Sequence, residues 1–342
     1  MRSNSRFLPA ALFIGAAFFM SARADEFETA YQAVAKSKGN SPEAERLQEL
    51  LKVDWSYTMA NSPEFASYVG FPGYETKWTD FSPAAIAERK GHAHRPLDIL
   101  ASIDRERLGA SDRITYDLFK RQAEEAVEGT RFPTELLQIS QLGGVQQDAA
   151  QLFSAMPSGS TAQLENEIAR LRALPLLVTQ VVALLEEGVR RGVTPPQITL
   201  RDVPAQVLNQ IPEDPFESPL LTGFTNLPST VPGEQGQILR AEAAKIYKTE
   251  VRPAFQRLHA YLTHKYIPAA RTTIAASALP DGPAWYAWSI KVQTSTDSTA
   301  EQIHQIGLSE VKRIRLEMER VKELTGFTGS LEEFFKYLRT DP

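Results

Sequence analysis

The chain has 342 residues, 37 basic and 42 acidic side chains, a formal charge of −5, an apolar fraction of 42% and no cysteine. That length suffices for one large or two ordinary domains, and the composition is that of a globular rather than a disordered protein. The missing cysteines exclude a disulfide framework, a thiolate metal site and a cysteine nucleophile, and the lack of a basic tract excludes a nucleic-acid partner.

The first element in chain order is an export signal. Arg2 and Arg6 make a positive start, Phe7–Met20 is uncharged, and Ser21-Ala22-Arg23-Ala24 ends in a small-x-small cleavage site before Asp25. The run is shorter than the ~20 residues of a membrane-spanning helix. Residues 1–24 therefore read as a cleavable signal peptide, and residues 25–342 as a periplasmic or secreted chain with no membrane attachment after cleavage. The arginines are unpaired, which argues against the twin-arginine route, and no cysteine is present to carry a lipid.

The remainder reads as helices separated by Pro/Gly loops, an all-α fold with room for a few short strands. Leu47, Leu50, Leu51 and Trp55 recur at helical spacing over residues 43–59. Ser82-Pro83 supplies an N-cap and a first-turn proline for the next helix, and residues 112–128 place Ile114, Leu118, Phe119 and Val127 toward one side. Ser160 with Gln163 opens a long helix that Pro175 should kink or split and that Gly188 and Gly192 end. A second long helix, 234–264, points Ile238, Ala241, Ile246, Phe255, Leu258 and Leu262 inward, with a bend expected at Pro253. Between them, residues 193–236 hold eight prolines and read as an irregular wrapping segment or site wall.

Residues 284–293 are ambiguous. Their alternation permits a strand, while Asp281 and Pro283 favour a helix. Thr299 with Gln302 then caps a helix whose Ile303, Ile306, Val311, Ile314, Met318 and Val321 form an apolar stripe expected to be buried, and Ser330 with Glu333 caps the last one. Such a stripe needs a partner, either the existing core or a continuation of a longer fold.

No complete active site emerges from the residue types. His259 and His264 are five apart and do not share a helix face, and His92-Ala93-His94 reads as a solvated loop beside Lys90 and Arg95. Glu301-x-x-His304 is half a di-iron motif with no second copy, so Glu301 reads as a first-turn carboxylate. There is no Gly-x-Ser-x-Gly elbow and no phosphate-binding glycine loop. The aromatic group Trp285, Tyr286 and Trp288 is the best remaining ligand surface, since tryptophan and tyrosine combine apolar area with a polar tip.

Pro280-Asp281-Gly282-Pro283-Ala284-Trp285-Tyr286-Ala287 and the block from Thr294 to Val311, with Leu171-Arg172-Ala173-Leu174-Pro175 and Gly192-Val193-Thr194-Pro195-Pro196 upstream, resemble the bacterial exported family called domain of unknown function 885. The resemblance implies the N-terminal half of a helical fold similar to gluzincin zinc metallopeptidases. In that family a His-Glu-x-x-Pro-Gly-His-His motif holds zinc, which acidifies a bound water. That motif is absent from this sequence, so the resemblance carries over no catalytic or metal residue and no cofactor for this chain, with zinc implied only for the full-length family. Trp285 and Tyr286 match the family's two-aromatic position and become substrate-wall candidates, and a peptide becomes the expected substrate. Two readings follow: the substrate-cleft portion of an exported metallopeptidase-like hydrolase, inactive as this chain, or a non-enzymatic periplasmic binding protein.

Overall fold

The computed structural model describes residues 25–341, so the export signal read at 1–24 lies outside the described residues. The fold is all-α; among the described residues there is no strand, only the isolated bridges Ser140–Gly143 and Pro196–Arg271. Contacts divide the chain into two compact units, one ending at Pro280 and one starting at Asp281.

The first unit has two cores. Helices α1 (25–36), α2 (Glu43–Asn61), α5 (Arg95–Leu100) and α6 (Ala110–Gly129) close over Tyr31, Leu47, Leu50, Ile99 and Leu100. Between α2 and α5 lie α3 (Pro63–Tyr68) and α4 (Pro83–His92), and Ser82 caps α4 as its sequence demands, accepting the Ala85 N–H at 3.3 Å. Helix α6 differs from expectation: Ile114 and Leu118 are exposed, and Ala123 is its one buried residue.

The larger core is built on α8 (Thr161–Arg191), against which α7 (Val145–Ala155), α10 (Thr222–Thr225), α11 (Gly233–Ile246) and α12 (Arg252–Tyr261) pack. Helix α8 runs through Pro175 unsplit. Leu164, Leu171, Leu174, Val178 and Leu185 are buried along it, and at ~1.5–3 kcal/mol each this burial exceeds the ~3 kcal/mol cost of one interior proline. Gly192 ends it in the left-handed region (φ 68°), where a side chain would be strained. Two π-helical turns, Tyr247–Val251 and Leu262–Tyr266, join α11 to α12 and α12 to α13 (Ile267–Ala269). Each ends two residues before a proline, Pro253 or Pro268. Proline lacks the N–H that would close the turn behind it, and widening that turn re-pairs the ladder. Ile238, expected inward, is exposed, whereas Phe255, Leu258 and Leu262 are buried. The Pro-rich segment is more ordered than expected. It forms α9 (Val203–Asn209), α10 and three short 3-10 turns, and it inserts Val203, Val207, Leu221 and Phe224 into this core.

The second unit consists of α14 (Gly282–Thr294), α15 (Ala300–Leu324) and α16 (Leu331–Thr340). Residues 284–293 are thus helical, and the capping boxes of Thr299/Gln302 and Ser330/Glu333 are both formed. The stripe on α15 corrects the expectation. Ile306, Val311, Ile314, Met318 and Val321 are all exposed, and no residue of this helix is buried. The period of the stripe was right; burial depends on a partner surface that periodicity does not supply.

Candidate functional site

A cleft of about 670 Å³ opens in the first unit among α1, α2, α4, α8 and the segment joining α3 to α4. Phe27, Tyr57, Trp78, Ala173, Leu176 and Leu177 give it apolar walls; Asn61, Thr79, Asp80, Glu88, Arg89 and Gln180 supply polar groups. This is the composition of a ligand cleft: mostly apolar, with a few placed polar atoms.

One wall is the irregular segment 74–82, which is held from behind. Arg170, fully buried on α8, donates through Nη2 to the carbonyls of Tyr74 (2.7 Å) and Lys77 (2.8 Å) and through Nε to Lys77 again (3.0 Å). The Trp78 indole N–H returns a bond to the Arg170 carbonyl at 2.8 Å, and the guanidinium lies 5.4 Å from the Trp78 ring. Glu64 accepts the Thr79 N–H (2.9 Å) and hydroxyl (2.6 Å), while Gln180 accepts the Phe81 N–H (3.0 Å) and donates to the Asp80 carboxylate (2.7 Å). Burial pushes the Arg170 guanidinium down to about 10, so it stays charged at neutral pH. A segment without helix or strand is thereby fixed by side chains of α3 and α8.

Another part of the lining belongs to an aromatic and acidic cluster. Tyr57 donates to both Glu88 carboxylate oxygens (3.1 and 3.2 Å), Phe27 meets its ring edge-on at 5.3 Å, and His92 stacks on it at 3.6 Å. Behind them Tyr31 donates to Asp54 at 3.2 Å and lies 3.4 Å from His92 Nε2. Burial pushes His92 down to about 4 and raises the Tyr57 hydroxyl and the Asp54 carboxyl, so imidazole and phenol are both neutral at neutral pH. His92 therefore does not sit in a solvated loop: it ends α4 and is half-buried in an aromatic stack. Sequence spacing could not show this, because the partners come from α1 and α2.

Trp285 and Tyr286 lie on α14, in the second unit. Successive helical positions separate them: Trp285 is 7% exposed and Tyr286 47%. The cleft residues themselves went unnoticed in the sequence. Their one available signal was Trp78-Thr79-Asp80-Phe81-Ser82-Pro83, an aromatic-rich stretch ending at a strong helix start.

Chemically, the cleft can bind and orient a ligand. Among the described residues its lining holds no histidine, serine or cysteine, and both Glu88 carboxyl oxygens accept from the Tyr57 hydroxyl. Among the described residues no three His, Cys, Asp or Glu side chains gather where they could hold a metal ion, so these residues do not furnish a zinc site.

Comparison with curated proteins returned no match. Among solved structures, the chain is similar to a protein described as a lipoprotein from Colwellia psychrerythraea. That match has a TM-score of 0.74 at 18% identity over 92% of this chain and 54% of the other. The fold is thus shared, and this chain spans about half the length of that relative. A family model described as "Bacterial protein of unknown function (DUF885)" matches residues 63–342, from the start of α3 through the cleft wall, α8 and the second unit, and by that match the chain belongs to the DUF885 family.

Proposed function

We propose that this chain is the substrate-cleft portion of an exported hydrolase of the zinc-metallopeptidase type, with a polypeptide as its substrate and the metal held by residues other than those described. The observation that carries this reading is the coverage: 92% of this chain, but only 54% of the solved relative, falls within the shared fold. A mostly apolar cleft with a few placed polar groups is in keeping with a binding portion. The apolar stripe of α15 fits the same reading, since an exposed apolar face of that length calls for a covering surface. The relative's description as a lipoprotein supports export, in keeping with the signal read at residues 1–24. A non-enzymatic binding protein is the second reading, favoured by the largely apolar lining of the cleft.

Metal analysis and a peptide-cleavage assay test the proposal on the mature chain and on the product of the complete reading frame. The expected outcome is negligible zinc and no cleavage for the mature chain, with both present in any longer product. Stoichiometric zinc with cleavage by residues 25–342 alone would refute it. Absence of both from a complete product would favour the binding protein.

A further inference from the structure

Away from the cleft, α8 carries an acid into the larger core. Glu167 is fully buried in line with Leu164, Ile168 and Leu171, and neither carboxyl oxygen has a hydrogen-bond partner among the described residues. The carboxyl lies against Gly223, in the middle of α10. A methyl group at that position would stand 2.3 and 2.7 Å from the two oxygens, closer than real contacts allow. Glycine is what lets α10 close over the acid. A protonated carboxyl can stay under such a cover, whereas a carboxylate would lose its hydration with nothing in return. Burial alone acts on Glu167, and it pushes the group up to about 8.

The charged groups of the elements packed on α8 are engaged elsewhere or exposed. Helix α10 has no titratable side chain, and the turn Pro215–Glu217 beside it has only the exposed Glu217. On α7, Asp148 accepts the Gly144 N–H at 3.0 Å, and on the turn Thr134–Leu136, Glu135 pairs with Lys90. On α8 itself Glu165 is exposed and Arg170 is turned to Tyr74 and Lys77. Arg240 of α11 lies over Phe216, Glu242 pairs with Arg172, and Arg252 of α12 pairs with Glu213. In the π-helical turns Tyr247 donates to the Pro212 carbonyl and burial raises the Tyr266 hydroxyl, which keeps it neutral. The other charged groups of α11, α12 and these turns are exposed, save the half-buried His259.

The two sides of this contact are unequal. Helix α8 has 31 residues and a buried face along its whole length, whereas α10 is a single turn of four residues with only Phe224 buried. The element with fewer buried contacts opens first. We propose that Glu167 and α10 form a pH-sensitive latch: α10 closes over the acid while its carboxyl keeps a proton, and lifts from α8 when the proton passes to solvent, uncovering Leu221 and Phe224. The closed form binds the proton more tightly than the open one. Opening therefore grows with pH, about tenfold per unit between the ordinary 4.5 and about 8, and levels off above that.

Hydrogen exchange of the mature chain, followed by NMR and corrected for each amide's intrinsic rate, tests the latch. Between pH 5.5 and 7.5 the opening constant of the amides over residues 221–225 should rise roughly 70-fold. Amides in the middle of α8 should stay at least about tenfold better protected at each pH, because α8 remains closed. Glu167→Gln has no proton to lose there, so its opening constant should change by less than about threefold. A wild-type rise below about threefold overturns the proposal without recourse to any variant. An equal rise in Glu167→Gln overturns it too. Equal opening constants for residues 221–225 and α8 at each pH also overturn it, since the whole fold would then open as one.

Discussion

Replacing Arg170 by methionine removes the group that fixes the cleft wall while keeping most of its volume. The guanidinium satisfies the carbonyls of Pro63, Tyr74 and Lys77 and the Ser67 hydroxyl, at 3.3, 2.7, 2.8 and 2.9 Å. Each acceptor left buried and unsatisfied costs about 1–3 kcal/mol. Tyr74 and Lys77 lie in a segment that water can reach once it loosens, so the sum does not accrue in full and the net loss should be about 3–5 kcal/mol. At ~2–4 °C per kcal/mol, the melting temperature should fall by roughly 6–20 °C. Arg170→Lys restores charge but not the fork that serves several acceptors at once, so it should recover less than half of the loss. Thermal unfolding followed by circular dichroism supplies the stability, and hydrogen exchange at Thr79 and Phe81 reports on the wall. A melting point within 2 °C of wild type, with those amides unchanged, would refute the claim that Arg170 holds the segment.

Glu167 is fully buried beside Gly223 with no partner for either oxygen among the described residues, and burial pushes it up to about 8. Its folded pKa exceeds the ordinary 4.5, so its contribution is intact below pH 4.5 and is lost as pH rises through 8. Glu167→Gln should therefore flatten the pH dependence of urea unfolding in that window; parallel curves would count against it. His92 has the opposite sign. Its folded pKa of about 4 lies below the ordinary 6.5, so stability present above 6.5 is lost as pH falls toward 4, and a His92 titration midpoint near 6.5 would contradict the stacked, buried geometry. On α15, Ile314→Lys with Val321→Lys should lower hydrophobic-dye binding by the mature chain and change stability by no more than ~0.5 kcal/mol. A loss above ~2 kcal/mol would mean that this face is already covered.

Much of the helical frame was legible because its signals are local. Ser82-Pro83, Ser160, Thr299 with Gln302 and Ser330 with Glu333 each fix a helix start through bonds spanning three residues, and each is present in the fold. The destination of an apolar stripe is a long-range property. Leu164 and Ile314 look alike in sequence, yet one is buried in the larger core and the other faces outward. The cleft was illegible for the same reason. Its wall is shaped by Arg170 and Gln180, about 90 to 100 positions away along the chain, and its aromatic cluster joins α1, α2 and α4. Trp285 and Tyr286 drew notice as a dense aromatic pair, whereas Trp78, Tyr57 and Phe27 converge only in space.

Photo-crosslinking locates the ligand site most directly. Capped heptapeptides carrying a diazirine residue are irradiated with the mature chain, and the adducts are mapped by mass spectrometry. The account predicts adducts on the cleft lining, at Phe27, Tyr57, Thr76–Asp80 and Leu176, that disappear in Leu176→Arg. Adducts concentrated on Trp285 and Tyr286 and unaffected by that substitution would contradict it and return the site to α14.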